Sequence, residues 1–396
     1  MSEVNGAAEL GGVLFAGGGT GGHVFPMVAV ADAVKRLAHT AMVFVGTERG
    51  LEAKVVPARG YRLLYMKVFP LRGAGVFGAA KGFARAVGAV AEARALLLAE
   101  RPRVVFSAGG YAAGPISLAA RLLGIPVALM EPNSVAGLAN RLMAPFVQRA
   151  YTAFERSEKH FSELAVLRAG VPIRAGFHRA PYHTRGPESA LKVLVLGGSQ
   201  GARTLNQAVP EALARSKQTV QVRHQCGKES ASEVEARYRE LGMAARANVL
   251  SFIDDMPEAL AWADLVISRS GASAVSEICA VGRPSILVPY PFAAGDHQRY
   301  NAEALEAAGA ALSLLNQQAT SDALVRALDG ITQAPGALPR MAARAAQLGR
   351  PEAASRIALD LLRLGGIPVA EAPENLARGP AERDNGAPMF RFSEVH

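Results

Sequence analysis

Val13-Leu-Phe-Ala-Gly-Gly-Gly-Thr-Gly-Gly-His23 runs from four apolar residues into a glycine-rich turn, and the stretch that follows, with Pro26 near its first turn, reads as a helix. A buried strand, a glycine turn and a helix start in that order open a doubly wound α/β sheet. Glycines let the backbone approach a ligand closely, and the free N–H groups of a helix start favour negative charge. The arrangement returns at Val193-Leu-Val-Leu-Gly-Gly-Ser-Gln-Gly-Ala202, with Gly18 and Gly197 in corresponding places 179 residues apart. This repeat predicts two such sheets with their ligand-binding edges facing a shared cleft.

Short apolar runs alternating with helical stretches predict strands at 13–16, 41–45, 103–107, 127–130, 192–196, 220–224, 248–252, 265–268 and 285–288. Residues 174–190, rich in Gly, Pro and His and without apolar period, read as a linker. The expected organisation is an N-terminal domain at 1–173, the linker, and a C-terminal domain at 191–349. A helix at 350–365 is expected to pack back on the first domain, and 366–396 to form a disordered tail. The Met389-Phe390-Arg391-Phe392 end of that tail is a candidate docking peptide.

Half of the 396 residues are hydrophobic and 19% are charged, which supplies a sizeable core and excludes a disordered main body. Residues 1–180 carry 21 basic against 11 acidic side chains, a net +10, whereas the remainder, 22 against 23, nets −1. The basic half predicts an anionic partner: nucleic acid, a phosphorylated substrate or an acidic membrane surface. One Trp and 6% aromatic residues argue against nucleic acid, whose single strands are usually stacked on aromatic side chains. Cys226 and Cys279 are too few for a disulfide framework and fit a reducing cytoplasm. Residues 1–12 lack a basic n-region and apolar h-region, and no apolar run is long enough to span a membrane, so membrane contact is expected to be peripheral. With no D-x-D, H-E-x-x-H or H-x₃-H, no metal is expected.

Further loops sit at strand-to-helix junctions. Ser107-Ala-Gly-Gly-Tyr-Ala-Ala-Gly-Pro115 contains Gly109 and Gly110, with Tyr111 as its one large side chain. The loop at Gly197 lacks the Lys-Ser/Thr of a P-loop, so NTP hydrolysis is not expected, and the Ser199 hydroxyl suits a phosphate oxygen. In Ser268-Arg-Ser-Gly-Ala-Ser-Ala-Val-Ser-Glu277, the carboxylate lies about one turn into a helix. There it can accept two hydrogen bonds from a ribose diol while the Ala272 and Ser273 N–H groups face a diphosphate. Asp296-His-Gln-Arg-Tyr-Asn301 offers amide and charged groups suited to sugar hydroxyls.

Together these motifs resemble the MurG family of bacterial glycosyltransferases, from about Val13 to Leu364. The resemblance implies a GT-B fold of two Rossmann-like domains. It also implies inverting transfer of N-acetylglucosamine (GlcNAc) from UDP-GlcNAc to the 4-hydroxyl of N-acetylmuramic acid (MurNAc) in undecaprenyl-pyrophosphoryl-MurNAc-pentapeptide, the lipid I to lipid II step of peptidoglycan synthesis. By resemblance, Ile253 backbone groups read uracil, Ser199 and Ala272, Ser273, Ala274, Val275 and Ser276 hold the diphosphate, Glu277 takes the ribose and Gln298 meets the sugar. Thr20, Gly21, Gly22, Asn133 and Arg174 match positions that complete the donor site. Pro132 and Arg299 stand where the family commonly has Gln, which puts contacts by those two side chains in doubt.

Departure of UDP is expected to be stabilised by the helix starts at Ser199 and Ser273, with Arg174 or Arg269 as the cation. Gly18, Gly19, Gly109, Gly110 and Tyr111 are the expected acceptor site. For the general base, His23 is the first candidate, since imidazole exchanges protons near neutral pH; Glu131 is the rival and Asp254 a third. No cofactor is implied besides the donor substrate. The expected partners are the lipid-linked acceptor, an anionic phospholipid surface, and cell-wall synthesis and division proteins, at the cytoplasmic face of the bacterial inner membrane. Residues 67–90, with Lys67, Arg72, Lys81 and Arg85 beside Val76, Phe77, Phe83, Val87 and Val90, are the expected membrane segment, the valines serving equally well as core. Two rival readings are a GT-B transferase with a soluble acceptor and an epimerase-like fold kept as a binding protein.

Overall fold

The computed structural model describes residues 11–370 except 68–75, 111, 162, 184–185, 187–188 and 199–200, and only the backbone of 76–85. In the first domain β1 (Val13–Ala16), β2 (Met42–Gly46), β3 (Arg62–Tyr65), β4 (Val104–Ser107), β5 (Val127–Glu131), β6 (Arg149–Thr152) and β7 (Ala165–Arg168) form a parallel sheet in the order β3-β2-β1-β4-β5-β6-β7. The second domain's β8 (Leu191–Leu196), β9 (Val220–Gln225), β10 (Ala247–Leu250), β11 (Leu265–Ser268), β12 (Ser285–Leu287) and β13 (Ala311–Ser313) are also parallel, in the order β10-β9-β8-β11-β12-β13. Each chain path therefore reverses direction once, between β1 and β4 and between β8 and β11. Those reversals are the switch points where doubly wound sheets open a crevice.

Helices α1 (Gly21–Leu37), α2 (Glu52–Ala58), α3 (Val76–Glu100), α4 (Ala113–Leu122), α5 (Leu138–Met143) and α6 (Glu155–Glu158) belong to the first domain. The second carries α7 (Arg203–Arg215), α8 (Ala231–Glu240), α9 (Met256–Trp262), α10 (Ala272–Val281), α11 (His297–Ala307), α12 (Ser321–Gln333) and α13 (Ala337–Leu348). Alternate residues of a strand face opposite sides, so helices on both faces demand an unbroken apolar run. In β1, Val13 and Phe15 join the core under α1, whereas Leu14 and Ala16 join the one that includes Ala93 and Leu97 of α3 and Ile116 of α4. Phe15 stacks on Phe44 of the neighbouring strand at 4.8 Å between ring centroids.

The final helix, α14 (Ala353–Leu364), leaves the second domain and lays Ile357, Ala358, Leu361 and Leu362 into the core around Phe15 and α1. Asp360 on it receives the Tyr151 hydroxyl at 2.9 Å and pairs with Arg149 at 3.0 Å. The expected tail does not begin at Gly366: Ile367 is buried in the same core, and Ala370 N donates to Leu37 O at 2.8 Å. An apolar isoleucine with a core to fill overrode the disorder signal of the nearby prolines. Residues 371–396, including the candidate docking peptide, lie outside the described residues. The linker is held to the second domain, since Arg283 donates to Ala180 O and Pro181 O and Phe177 is buried beside Leu194 and Leu260.

Four strands were not foreseen: β3, β6, β7 and β13. Edge strands β3 and β7 are exposed at their ends and only half-buried between, so they lack the continuous apolar run that marks central parallel strands. Strand β13 has three residues, too few to show a period.

Candidate active site at two facing switch points

The first glycine turn follows β1 and the loop from Ala108 follows β4, so they flank the first switch point. They touch backbone to backbone. Gly110 has φ +88°, and a β-carbon there would lie 2.7 Å from Gly18 O, which reserves the position for glycine. Thr20 precedes α1 as its N-cap, its carbonyl accepting from His23 N and Val24 N at 3.1 Å; Gly21 and Gly22 are the first two residues of the helix. His23 Nδ1 lies 3.1 Å from Gly18 O. A carbonyl only accepts, so Nδ1 carries a proton, and Nε2 lies on the Gly109 side of the ring, 3.5 Å from the position a β-carbon would take there.

A residue not foreseen occupies the first turn. Glu52, 1% exposed, accepts hydrogen bonds from Gly19 N at 2.7 Å, Thr47 N at 2.8 Å and Thr47 Oγ1 at 2.9 Å. The expected acceptor-phosphate cradle at Gly18 and Gly19 is thereby corrected: the Gly19 donor already serves an internal carboxylate, which would repel a phosphate. Among the expected acceptor residues, Gly109 and Gly110 remain, close to the start of α4; Tyr111 lies outside the described residues. The signal in the sequence was Gly50-Leu51-Glu52, a carboxylate entering a helix opposite a glycine turn.

Glu131 is also a holding residue. Its carboxylate, 1% exposed, accepts from Asn133 N at 3.0 Å, Asn133 Nδ2 at 3.3 Å, Gly137 N at 2.9 Å and Asn140 Nδ2 at 2.9 Å. With its oxygens engaged by four N–H donors, Glu131 is corrected from rival base to the staple of the loop after β5. Asp254 is exposed, and the adjacent Asp255 caps α9 by accepting Glu258 N at 3.0 Å.

The second switch point is flanked by the loop after β8 and the start of α10. Ser199 lies outside the described residues. Ala272 and Ser273 begin α10, and Ser273 Oγ is buried without a hydrogen-bond partner, an orphan hydroxyl at a helix start. Ala274 and Ser276 are half-buried, whereas Val275 packs into the core with Cys279 and Leu287. Burial pushes the Glu277 carboxyl up to about 7, against the pull of Arg174 at 4.0 Å. The Ile253 side chain is buried with Leu194 and Val266, which fixes its backbone. Gln298 accepts Tyr290 N on Oε1 at 3.0 Å. Arg269 is anchored at the end of β12, its Nη1 donating to Val288 O, Pro289 O and Asn316 Oδ1.

The two sites face each other through direct contacts: Asn301 of α11 bonds Ser134 N at 2.9 Å, and the Arg156 guanidinium lies 3.8 Å from the centre of the Tyr300 ring. Among the described residues, no group of three or more His, Cys, Asp and Glu is placed to hold a metal, and no helix is long and apolar enough to cross a membrane.

Residues 13–152 match the glycosyltransferase family 28 N-terminal domain, and residues 192–357 the family's C-terminal domain. A Sorangium cellulosum protein named UDP-N-acetylglucosamine--N-acetylmuramyl-(pentapeptide) pyrophosphoryl-undecaprenol N-acetylglucosamine transferase is 52% identical over 362 residues, covering 90% of this chain and 89% of its own. An Anaeromyxobacter dehalogenans protein of the same name is 42% identical, covering 91% of this chain and 96% of its own. The crystal structure of Acinetobacter baumannii MurG superposes with a TM-score of 0.75 at 29% identity, over 89% of this chain and 99% of that one. With both halves of the family matched in order and the loops of both halves brought to facing switch points, the chain belongs to glycosyltransferase family 28, among the MurG transferases.

Proposed function

We infer that this protein transfers GlcNAc from UDP-GlcNAc to the MurNAc 4-hydroxyl of undecaprenyl-pyrophosphoryl-MurNAc-pentapeptide, inverting the anomeric centre. The observation that carries the reading is the pairing of two ligand crevices in a chain 52% identical to a protein named for this transfer. The donor lies on the second domain. Its diphosphate meets the start of α10, where Ser273 Oγ gains an acceptor; its ribose meets Glu277, and its sugar meets Gln298. The acceptor enters beside Gly109, Gly110 and the start of α4.

His23 Nε2 takes the proton of the attacking hydroxyl as the oxygen displaces UDP, and negative charge building on the leaving phosphate is met by helix-start N–H groups and Arg174. Each step uses only the two substrates, these side chains and backbone N–H groups.

We further propose that the first domain rests on the anionic, cytoplasmic face of the bacterial inner membrane, within reach of cell-wall synthesis and division proteins. Exposed Leu122, Leu138 and Leu142, flanked by exposed Arg121 and Arg141, support that contact. Within the expected segment Val87 is 54% exposed, whereas Val90 packs toward the core; residues 68–75 and the side chains of 76–85 lie outside the described residues.

The testing experiment is a mass-transfer assay with UDP-GlcNAc and a lipid-linked MurNAc-pentapeptide of shortened polyprenyl chain. A product heavier by one GlcNAc residue is expected. Equal turnover of a soluble sugar lacking the pyrophosphoryl lipid, or donor binding without transfer, contradicts the reading.

A further inference from the structure

Asn301 is fully buried at the junction of the two domains. Its Oδ1 accepts Ser134 N at 2.9 Å, and its Nδ2 donates to Ser270 O at 3.1 Å and to Asn133 Oδ1 at 3.3 Å. One primary amide thus joins the loop after β5 to the loop after β11, and no other side chain of its size supplies both the acceptor and the two donors.

Both ends of this link continue. On the donor side, Ser270 Oγ donates to Gln298 O at 2.8 Å, one turn before Asn301 on α11. On the acceptor side, Asn133 and Asn140 share the Glu131 carboxylate, and the Asn140 side-chain oxygen and His23 Nε2 lie 3.4 Å and 3.5 Å from the β-carbon position of Gly109. A path of hydrogen bonds therefore runs from the backbone of the proposed sugar-reading residue through Asn301 and Asn133 to the Glu131 carboxylate and Asn140, whose side chain borders the same side of Gly109 as the proposed base. Tyr300, adjacent to Asn301, is gripped by Arg156 of the first domain, so two consecutive residues of α11 are held across the junction.

We propose that Asn301 is a positioning residue that sets the register between donor helix and acceptor loop, and so the distance from the donor sugar to the attacking hydroxyl. This rests on the transferase reading above. Asn301 has no part in the proposed uracil, ribose or diphosphate contacts, so its loss leaves UDP binding in place while misaligning the reacting atoms. A misplacement of about 1 Å is enough to cost on the order of 10²-fold in rate.

The experiment compares wild type with Asn301→Ala, and with Asn301→Ser, which is neutral, fits the same space and keeps one hydroxyl for the stranded groups, and so serves if the alanine variant fails to fold. Three quantities are read: kcat, UDP affinity and stoichiometry by calorimetry, and the interdomain distance distribution between spin labels at Lys35→Cys and Arg239→Cys, both exposed. The proposal expects kcat lower by about 10²-fold, UDP affinity within about threefold at full stoichiometry, and a broadened distance distribution. A folded variant with kcat within about threefold of wild type, or with an unchanged distribution, overturns it, since a register pin must move both. A fall in kcat matched by an equal fall in UDP stoichiometry also overturns it, because that marks lost fold. If wild type transfers no GlcNAc, the functional reading fails by itself, and the distance measurement still decides whether Asn301 pins the domains.

Discussion

Arg174 Nε lies 4.0 Å from the Glu277 carboxylate, joining the interdomain segment to the first turns of α10. Burial raises this carboxyl to about 7, and Arg174 opposes the shift. The folded protein therefore binds this proton more tightly than the unfolded chain does. The stabilisation from that protonation is full below the unfolded value and is lost as pH rises through about 7. Ribose hydroxyls donate to the charged form, so UDP affinity should rise with pH, by up to about tenfold per unit below the transition, with proton release on binding. Arg174→Ala removes the lowering influence and should move the transition to higher pH. Calorimetry in buffers of different ionisation heat checks both, and an affinity flat from about pH 6 to about pH 8 contradicts them.

Removing the carboxylate altogether gives a separate expectation. Glu277→Ala should weaken UDP binding by roughly 1 to 3 kcal/mol, the range for hydrogen bonds to a charged group, without unfolding the domain. Unchanged UDP affinity in a folded variant removes Glu277 from the ribose site.

The two buried carboxylates of the first domain should behave as loop staples. Glu52→Ala strands Gly19 N and Thr47 N, and Glu131→Ala strands Asn133 N and Gly137 N. Each variant should lose about 3 kcal/mol of stability, seen as a lower urea midpoint, while UDP affinity of the remaining folded protein stays near wild type. A Glu131→Ala protein of full stability that has lost only turnover would return Glu131 to the role of base.

The interior strands other than β6, and the glycine loops that follow β1, β4, β8 and β11, were legible because a parallel sheet covered on both faces needs unbroken apolar runs, and its ligand edge needs glycine. Gly18 and Gly197 carried that signal at corresponding places. What escaped depends on contacts between distant segments. Glu52 reads as an ordinary helix-start carboxylate until its partners Gly19 and Thr47 are seen, and Glu131 reads as a free acid at a strand end until four N–H groups close on it. Asn301 looked like one more polar residue in a sugar-binding run, and only the packing of two domains shows it bridging to Ser134.

The proposed chemistry divides between the domains, with proton transfer on the first and the nucleotide on the second. His23→Ala tests it in a single comparison of kcat with UDP affinity. The expected result is a kcat lower by about 10²- to 10⁴-fold with UDP affinity nearly unchanged. A His23→Ala enzyme that keeps more than about a tenth of wild-type kcat, a smaller loss than removal of a general base gives, would contradict it.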